Sequence, residues 1–569
     1  ASSAAIYGSR GANGVVLVTT KLGKAGRSNV SAGVEYGVQE VTRKVPMMNA
    51  QQWINYYIDA HNNAWVDLNP AVNKASDPNS VRPSTYRIPD DFITNPQQFG
   101  TGTDWQDVMF RVAPSKNAQL SVSGGNEKTQ FLFSGAYLDQ QAVLDQNYYK
   151  RLALRTNIKH AVTSRLTVGM NLGATTVFDR TEGTQGKSDV ISLAIQSDPI
   201  FPVYNENGNL GYRDPNSVWS KYIAYNDLNL WHPYSLTRFI HKQNKSFNTL
   251  ATGYAEYYFT DDLKFRTSIS GNLYNTRLNS YSIKNQGYGY SGLLPAEGNV
   301  QSSYMLNWLS ENTLTYDKRF GDHSVNVLAG YSVQKQRDEF ATVTSGSFPN
   351  DLVETLNAGV VTSGSSNATE WSMISYLARG QYNFRNNYFL SAAIRRDGSS
   401  RFGTNTRWGY FPSVSAGWLV SDEAFLKNIK AINSLKLRAS YGVAGNNQIP
   451  NYGAISLLNA SNYASGSSLA SGLQIANIAN TNLRWERTNQ LNIGVDLRLL
   501  SDRISLTAEY YNSVTRDMLL NVPIPDITGF STQLTNIGRM RNRGIELNLS
   551  TKNTTGKLLW TTEFNFSRN

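Results

Sequence analysis

The sequence predicts an all-β chain, a large transmembrane antiparallel β-barrel, and three observations lead there. Beyond Arg27 apolar and polar residues alternate with a period of two in segment after segment, the pattern of strands wet on one face only. The connections are unequal: several are short polar turns, while those near residues 40–117, 175–244, 275–302, 336–369 and 443–486 are very long. No run approaches the roughly 18 consecutive apolar residues of a membrane helix, whereas membrane strands leave only this weak alternation.

The first 25 residues read as a separate small unit. A helix end at Ser2–Ile6 runs into a turn at Gly8, Arg10 and Gly11, and Val15–Thr20 reads as a β-branched strand. The clearest hairpin comes late. Leu491, Ile493, Val495, Leu497 and Leu499 share one face, Ser501 and Asp502 turn, and Ile504, Leu506, Ala508 and Tyr510 resume the alternation. Each arm is about nine or ten residues, the length of a tilted membrane strand. The other face carries Asn492, Asp496, Arg498, Thr507 and Glu509 and reads as wet. Similar arms occur at Leu166–Leu172, Val325–Val333, Ile374–Phe384, Tyr388–Ile394 and Ile545–Leu549, the last leading to Leu558–Phe566. Such segments number roughly 17, with boundaries the least certain part. Closing them into a barrel removes sheet edges, and in hydrocarbon every backbone polar group must be paired. Within the first long connection, MNAQQWINYYIDAHNNAW reads as a helix starting near Met48 or Asn49.

Composition excludes several chemistries. With no cysteine, disulfides, zinc–thiolate sites and thiol catalysis are out, and five scattered histidines form no ligand motif. Lys plus Arg is 53 against 42 Asp plus Glu, a net +11 that fits acidic ligands or anionic lipid equally. The run GSRGANG at 8–14 lacks a P-loop ending and precedes a strand, so a tight turn is the reading. RRDGSSRFG at 395–403 is basic but sits at a strand end, which favours a rim or lumen feature over nucleic acid. Asp104 and Asp107 form a carboxylate pair that spacing alone cannot turn into a hydrolytic site. Trp308, Tyr316, Trp371, Trp408, Tyr410, Trp418 and Trp485 have two readings, interfacial girdle or core packing on one hand and ligand platform on the other.

Several motifs carry a family resemblance. AIYGSRGANGVVLVTTKLGK at 5–24, GTDWQDVMF at 102–110, SVSGGNEKT at 121–129, IRRDGSSRFG at 394–403, RWGYFPSVSAGW at 407–418 and LKLRASYGVAGNNQI at 435–449 occur in order. NLRWERTNQLNIGVDL at 482–497, ISLTAEYYNSVTRDMLL at 504–520 and NIGRMRNRGIEL at 536–547 follow. Together they resemble SusC/RagA-type TonB-dependent transporters of Bacteroidota. The resemblance implies a barrel of about 22 strands in the outer membrane, plugged by an N-terminal domain. Residues 1–25 would then be the tail of that plug and 26–569 the barrel with long extracellular loops, with its C-terminal strands and the TonB-gripped N-terminal segment missing.

The plug-tail motif is Gly8, Arg10, Gly11, Asn13 and Gly14, where the glycines permit close turns before the first barrel strand. The implied work is energy-coupled import of bulky nutrients, oligosaccharides before peptides, without catalysis or cofactor. Implied partners are a SusD-like surface lipoprotein, TonB, outer-membrane lipid and the ligand, not nucleic acid, with transporter–lipoprotein pairs able to dimerise. A passive porin or adhesin barrel shares the alternation but gives no reason for the motif before the first strand. A soluble β-rich carbohydrate-active enzyme would instead need convergent carboxylates and strands without a continuous apolar outer band.

Overall fold

The structure, a computed structural model, describes all residues except 1–7, 9, 10, 12, 13, 17, 182–188, 209–216, 224–232, 285, 286, 289–291 and 294. Its body is a 17-stranded sheet. The first half comprises β1 (Gly26–Gln39), β2 (Ala113–Gly125), β3 (Thr129–Gln141), β4 (Tyr148–Ala161), β5 (Leu166–Arg180), β6 (Ile240–Tyr258), β7 (Leu263–Ser282) and β8 (Glu297–Phe320). The second comprises β9 (His323–Gly346), β10 (Val360–Phe384), β11 (Tyr388–Ser399), β12 (Trp408–Leu419), β13 (Ile432–Asn446), β14 (Glu486–Leu499), β15 (Ile504–Arg516), β16 (Arg539–Thr555) and β17 (Leu559–Arg568). Each strand pairs antiparallel with its neighbours in chain order, from β1–β2 through to β16–β17. Among the described residues β1 and β17 each have one partner, so the sheet keeps two open edges.

Register converts the alternation into two walls. Trp418, Leu437, Val495, Ala508, Leu547 and Phe566 face one another strand to strand in one apolar row. One residue along, Gly417, Arg438, Gly494, Glu509, Glu546 and Ser567 form a polar row on the opposite face. A shift of one residue would exchange these faces, so the pattern fixes the pairing.

The turns at 126–128, 162–165, 259–262, 321–322, 385–387 and 500–503, with the connection 420–431, lie at one end, and the long connections at 40–112, 181–239, 283–296, 347–359, 447–485 and 517–538 lie at the other, with the shorter ones at 142–147 and 400–407. The turn residues Arg385 and Asn386, and likewise Leu500, Ser501 and Asp502, take positive φ between 55° and 60°, which reverses the chain between twisted strands. The strands outrun the expected nine or ten residues: β10 has 25. Its first nine residues are exposed and lack alternation, because there neither face meets hydrocarbon.

Other expectations need correction. Val15–Thr20 is not a strand among its described residues; Val16 and Val18 are 89% and 78% exposed and no neighbouring strand offers a ladder. The helix end at Ser2–Ile6 lies outside the described residues. The connection 517–538 holds an unforeseen hairpin, Leu519–Pro523 against Thr532–Asn536.

The long connections are folded. Those at 40–112 and 181–239 carry α1 (Ala50–Leu68), α2 (Asp90–Thr94), α3 (Trp105–Met109), α4 (Val190–Gln196), α5 (Ser220–Ile223) and α6 (Pro233–Phe239). They enclose a core of Ile54, Phe92, Phe99, Trp105, Met109, Leu193 and Phe201. Helix α1 starts where the sequence places it: Asn49 accepts from the Gln52 amide and Gln52 reaches back to the Asn49 amide, a capping box. A second core joins Phe402, Phe411, Leu483 and Trp485 beneath the connections at 400–407 and 447–485.

Candidate functional site

The N-terminal tail meets the wall at two places. The Gly11 amide donates to the Gly8 carbonyl and the Gly14 amide to the Gly11 carbonyl, with φ of +55° at Gly8 and +94° at Gly14. Gly8 rests on β11, where a Cβ would lie 2.4 Å from Asp397 Oδ2 and 2.5 Å from Arg395 Cδ. Both the positive φ and the close approach therefore require glycine.

Beneath it, Arg395 Nε donates to Asp397 Oδ1 at 2.7 Å and Arg395 Nη2 to Ser375 Oγ at 2.9 Å. Asp397 is wholly buried, so the ion pair is held away from water. The tail then reaches β3 and β4: Asn157 Nδ2 donates to the Lys21 carbonyl at 2.6 Å, and a Cβ on Gly23 would strike the Phe131 carbonyl oxygen at 2.1 Å. Since β4 and β11 are seven strands apart in the sheet, the tail spans the concave space between two parts of the wall. Arg10 and Asn13 of the predicted motif lie outside the described residues.

The polar face below this dock is charged in balance. Arg438 pairs with Glu509 at 2.7 Å and with Asp496 at 3.2 Å, beside a cavity of about 590 Å³ that Lys436, Asn492 and Ser440 also line. At the long-connection end a cavity of about 510 Å³ opens between Met47, Met48, Trp53, Tyr56 and the Asp198–Pro199 segment. Flexible thioethers and flat rings beside backbone carbonyls suit a ligand that is partly apolar and partly hydrogen-bonding. The sequence had no signal for this cavity, which joins residues about 150 positions apart.

The remaining candidates find structural partners. Asp104 caps α3, accepting from the Gln106 and Asp107 amides, while Asp107 pairs with Lys44. His61 stacks on Tyr57, His160 bonds Thr129, His241 pairs with Glu354 and His323 bonds Tyr382; His232 lies outside the described residues. Trp485 is a core residue against Phe402 and Phe411. Trp418 stacks near Tyr388 at the short-turn end, and Trp408 and Tyr410 carry the Arg396 guanidinium over their rings, as interfacial aromatics do. Arg401 lies over Trp371, and burial holds its pKa below the ordinary arginine value.

Comparison with known proteins agrees with this geometry. The family described as TonB dependent receptor-like, beta-barrel matches residues 195–569. TonB-dependent receptor P3 of Formosa agariphila is 32% identical over 100% of this chain and 53% of its own length. TonB-dependent receptor SusC of Bacteroides thetaiotaomicron is 27% identical over 100% of this chain and 55% of its own. The chain thus spans little more than half the length of these curated relatives. Among solved structures, the RagAB peptide importer in the 'open-open' state aligns over 100% of this chain and 63% of its own, at 25% identity and a TM-score of 0.82. Membership in a receptor and transporter family is what sets enzymatic readings aside. The chain belongs to the TonB-dependent receptor-like β-barrel family of the outer membrane, in its SusC/RagA group.

Proposed function

We propose that the chain forms most of the barrel of an energy-coupled importer of bulky nutrients, with peptides ahead of oligosaccharides as cargo. The observation that carries this reading is the alignment of the whole chain on the RagAB peptide importer at a TM-score of 0.82. It reverses the order of cargo that the sequence resemblance implies. The Met- and aromatic-lined cavity of about 510 Å³ suits peptide side chains and backbone. Oligosaccharide stays the second reading, because the SusC relative aligns over the same 100% of the chain.

In this reading residues 1–25 are the plug tail and 26–569 the wall, with further strands closing β17 onto β1. A SusD-like lipoprotein covers the long-connection end, TonB pulls from the opposite side, and two such pairs can associate. The Gly8 contact on Arg395 and Asp397 is the last hold between plug and wall, released as the plug is drawn away. The test is mass spectrometry of small molecules that co-purify with the full-length transporter and its lipoprotein from cells fed mixed peptides and oligosaccharides. Bound peptides of mixed sequence are expected; a homogeneous bound glycan would overturn the order.

A further inference from the structure

We infer that the outward face of β2–β7 carries a docking site for the phosphate groups of an anionic glycolipid in the outer leaflet. A single row of residues carries the site. Tyr36, Lys116, Asp139, Lys150, Phe178, Lys245 and Arg277 face one another across seven consecutive strands, β1 to β7. Four cations stand there against one carboxylate, Asp139, which lies 3.9 Å from Lys150. Lys245 and Arg277 are directly opposite each other, a like-charge pairing that costs stability unless an anion bridges it.

The row is the upper border of the lipid-facing band. The next row on the same face, two residues nearer the short turns, is Val34, Ala118, Tyr137, Leu152, Thr176, Phe247 and Asn275, apolar but for Thr176 and Asn275. The row after that is Ala32, Leu120, Gly135, Leu154, Ala174, Thr249 and Leu273. Acyl chains can therefore lie on these rows while the headgroup meets the cations. Phe178 lies under Lys245 at 5.8 Å and Tyr148 under Lys150 at 5.7 Å, rings at headgroup depth.

Just above, the wall opens into a cavity of about 660 Å³ lined by Arg180, Arg277, His241 and Tyr148, with Glu354 and Leu356 from the connection at 347–359. It can admit a sugar-phosphate headgroup. The short-turn border of the same strands differs: the row Thr129, His160, Val168, Ala255 and Thr267, on the same face, contains no Lys or Arg. The long-connection end of an outer-membrane barrel faces outside, so the cations sit in the outer leaflet. Charge complementarity to phosphate and continuity with an acyl-binding band commit the site to lipid.

The experiment uses the full-length transporter purified in detergent and three probes: bisphosphorylated lipid A, its dephosphorylated form, and inorganic phosphate. Binding is read by native mass spectrometry. Lipid A is expected to be retained, and the variant Lys245→Gln with Arg277→Gln to hold it about 30-fold more weakly, at the usual contribution of each cation near an anionic surface. Lys245→Arg with Arg277→Lys is expected to hold it as the native protein does, and heat-modifiable migration checks that each variant is folded. Dephosphorylated lipid A should bind the native protein as weakly as lipid A binds the neutral variant. Equal binding of the two lipids overturns the proposal, as does displacement of lipid A by millimolar inorganic phosphate, which would mark a free-anion site.

Discussion

At Gly8 and Asp397 the fit between tail and wall comes down to two residues. A methyl on Gly8 has to displace Asp397 Oδ2 from 2.4 Å and also hold a left-handed φ of +55°. Gly8→Ala is therefore expected to lift the tail from β11, and faster amide exchange over residues 8–25 in the full-length protein would register it. No change in exchange would mean that the contact bears no load. Asp397→Asn takes the carboxylate from Arg395, itself only 11% exposed. Breaking such a buried pair costs about 3–5 kcal/mol, so a fall in the urea midpoint is expected, while an unchanged midpoint would show the pair to be incidental.

In the outer loops, Asp91 accepts from Tyr222 Oη at 2.6 Å and pairs with Lys221 at 2.5 Å. These bonds hold its carboxyl below the usual aspartate pKa, while burial and the bond to Asp91 push Tyr222 up to about 12. The lowered Asp91 pKa stabilises the loops above the unfolded value of 3.8 and loses that effect as pH falls through the folded value. The raised Tyr222 pKa acts in the opposite window, present below 10 and lost as pH rises towards 12. The difference in 295 nm absorbance titration between native protein and Tyr222→Phe should have its midpoint near 12; a midpoint at 10 would place this phenol in water.

Among elements, α1 is one whose start was legible to within two residues: Met48 or Asn49 was expected near it, and Asn49 is the cap before Ala50. Asn49, then Gln52, then an apolar stripe of Ile54, Tyr57 and Trp65 is a helix start and face written in local spacing. Asn49→Ala should cost about 1 kcal/mol of helix stability, seen as faster exchange of the first-turn amides and little change at Trp65. Equal acceleration along all of α1 would show that the cap is coupled to the whole loop core.

Strands were legible where one face is dry and the other wet, as in Leu491–Leu499 of β14. They faded where both faces are wet: VVTSGSSNA opens β10 with no period to read, so its extension passed for loop. Gly8 against Asp397, and Met47 beside Asp198, were illegible for another reason. Nothing local marks a contact between residues hundreds of positions apart, or between two loops that share a core only once the wall has brought them together.

For the whole molecule the open edges decide what the sheet can do. Strand β1 pairs on one side with β2, and β17, exposed along its whole length, pairs on one side with β16. In hydrocarbon each unpaired backbone group costs several kcal/mol, and two free edges would also template pairing between chains. A wall that crosses a bilayer must therefore close, either with further strands between β17 and β1 or by drawing those two together. The first route keeps the polar rows facing one concave space in which the tail has room to span from β11 to β4. The second would narrow that space around a tail already in contact on two sides. The chain of residues 1–569 refolded alone into detergent is accordingly expected to exchange the edge amides of β1 and β17 quickly and to self-associate. In the full-length protein the same amides should be protected for hours. A monomer of residues 1–569 with both edges protected would mean that the two strands pair with each other and that 17 strands suffice.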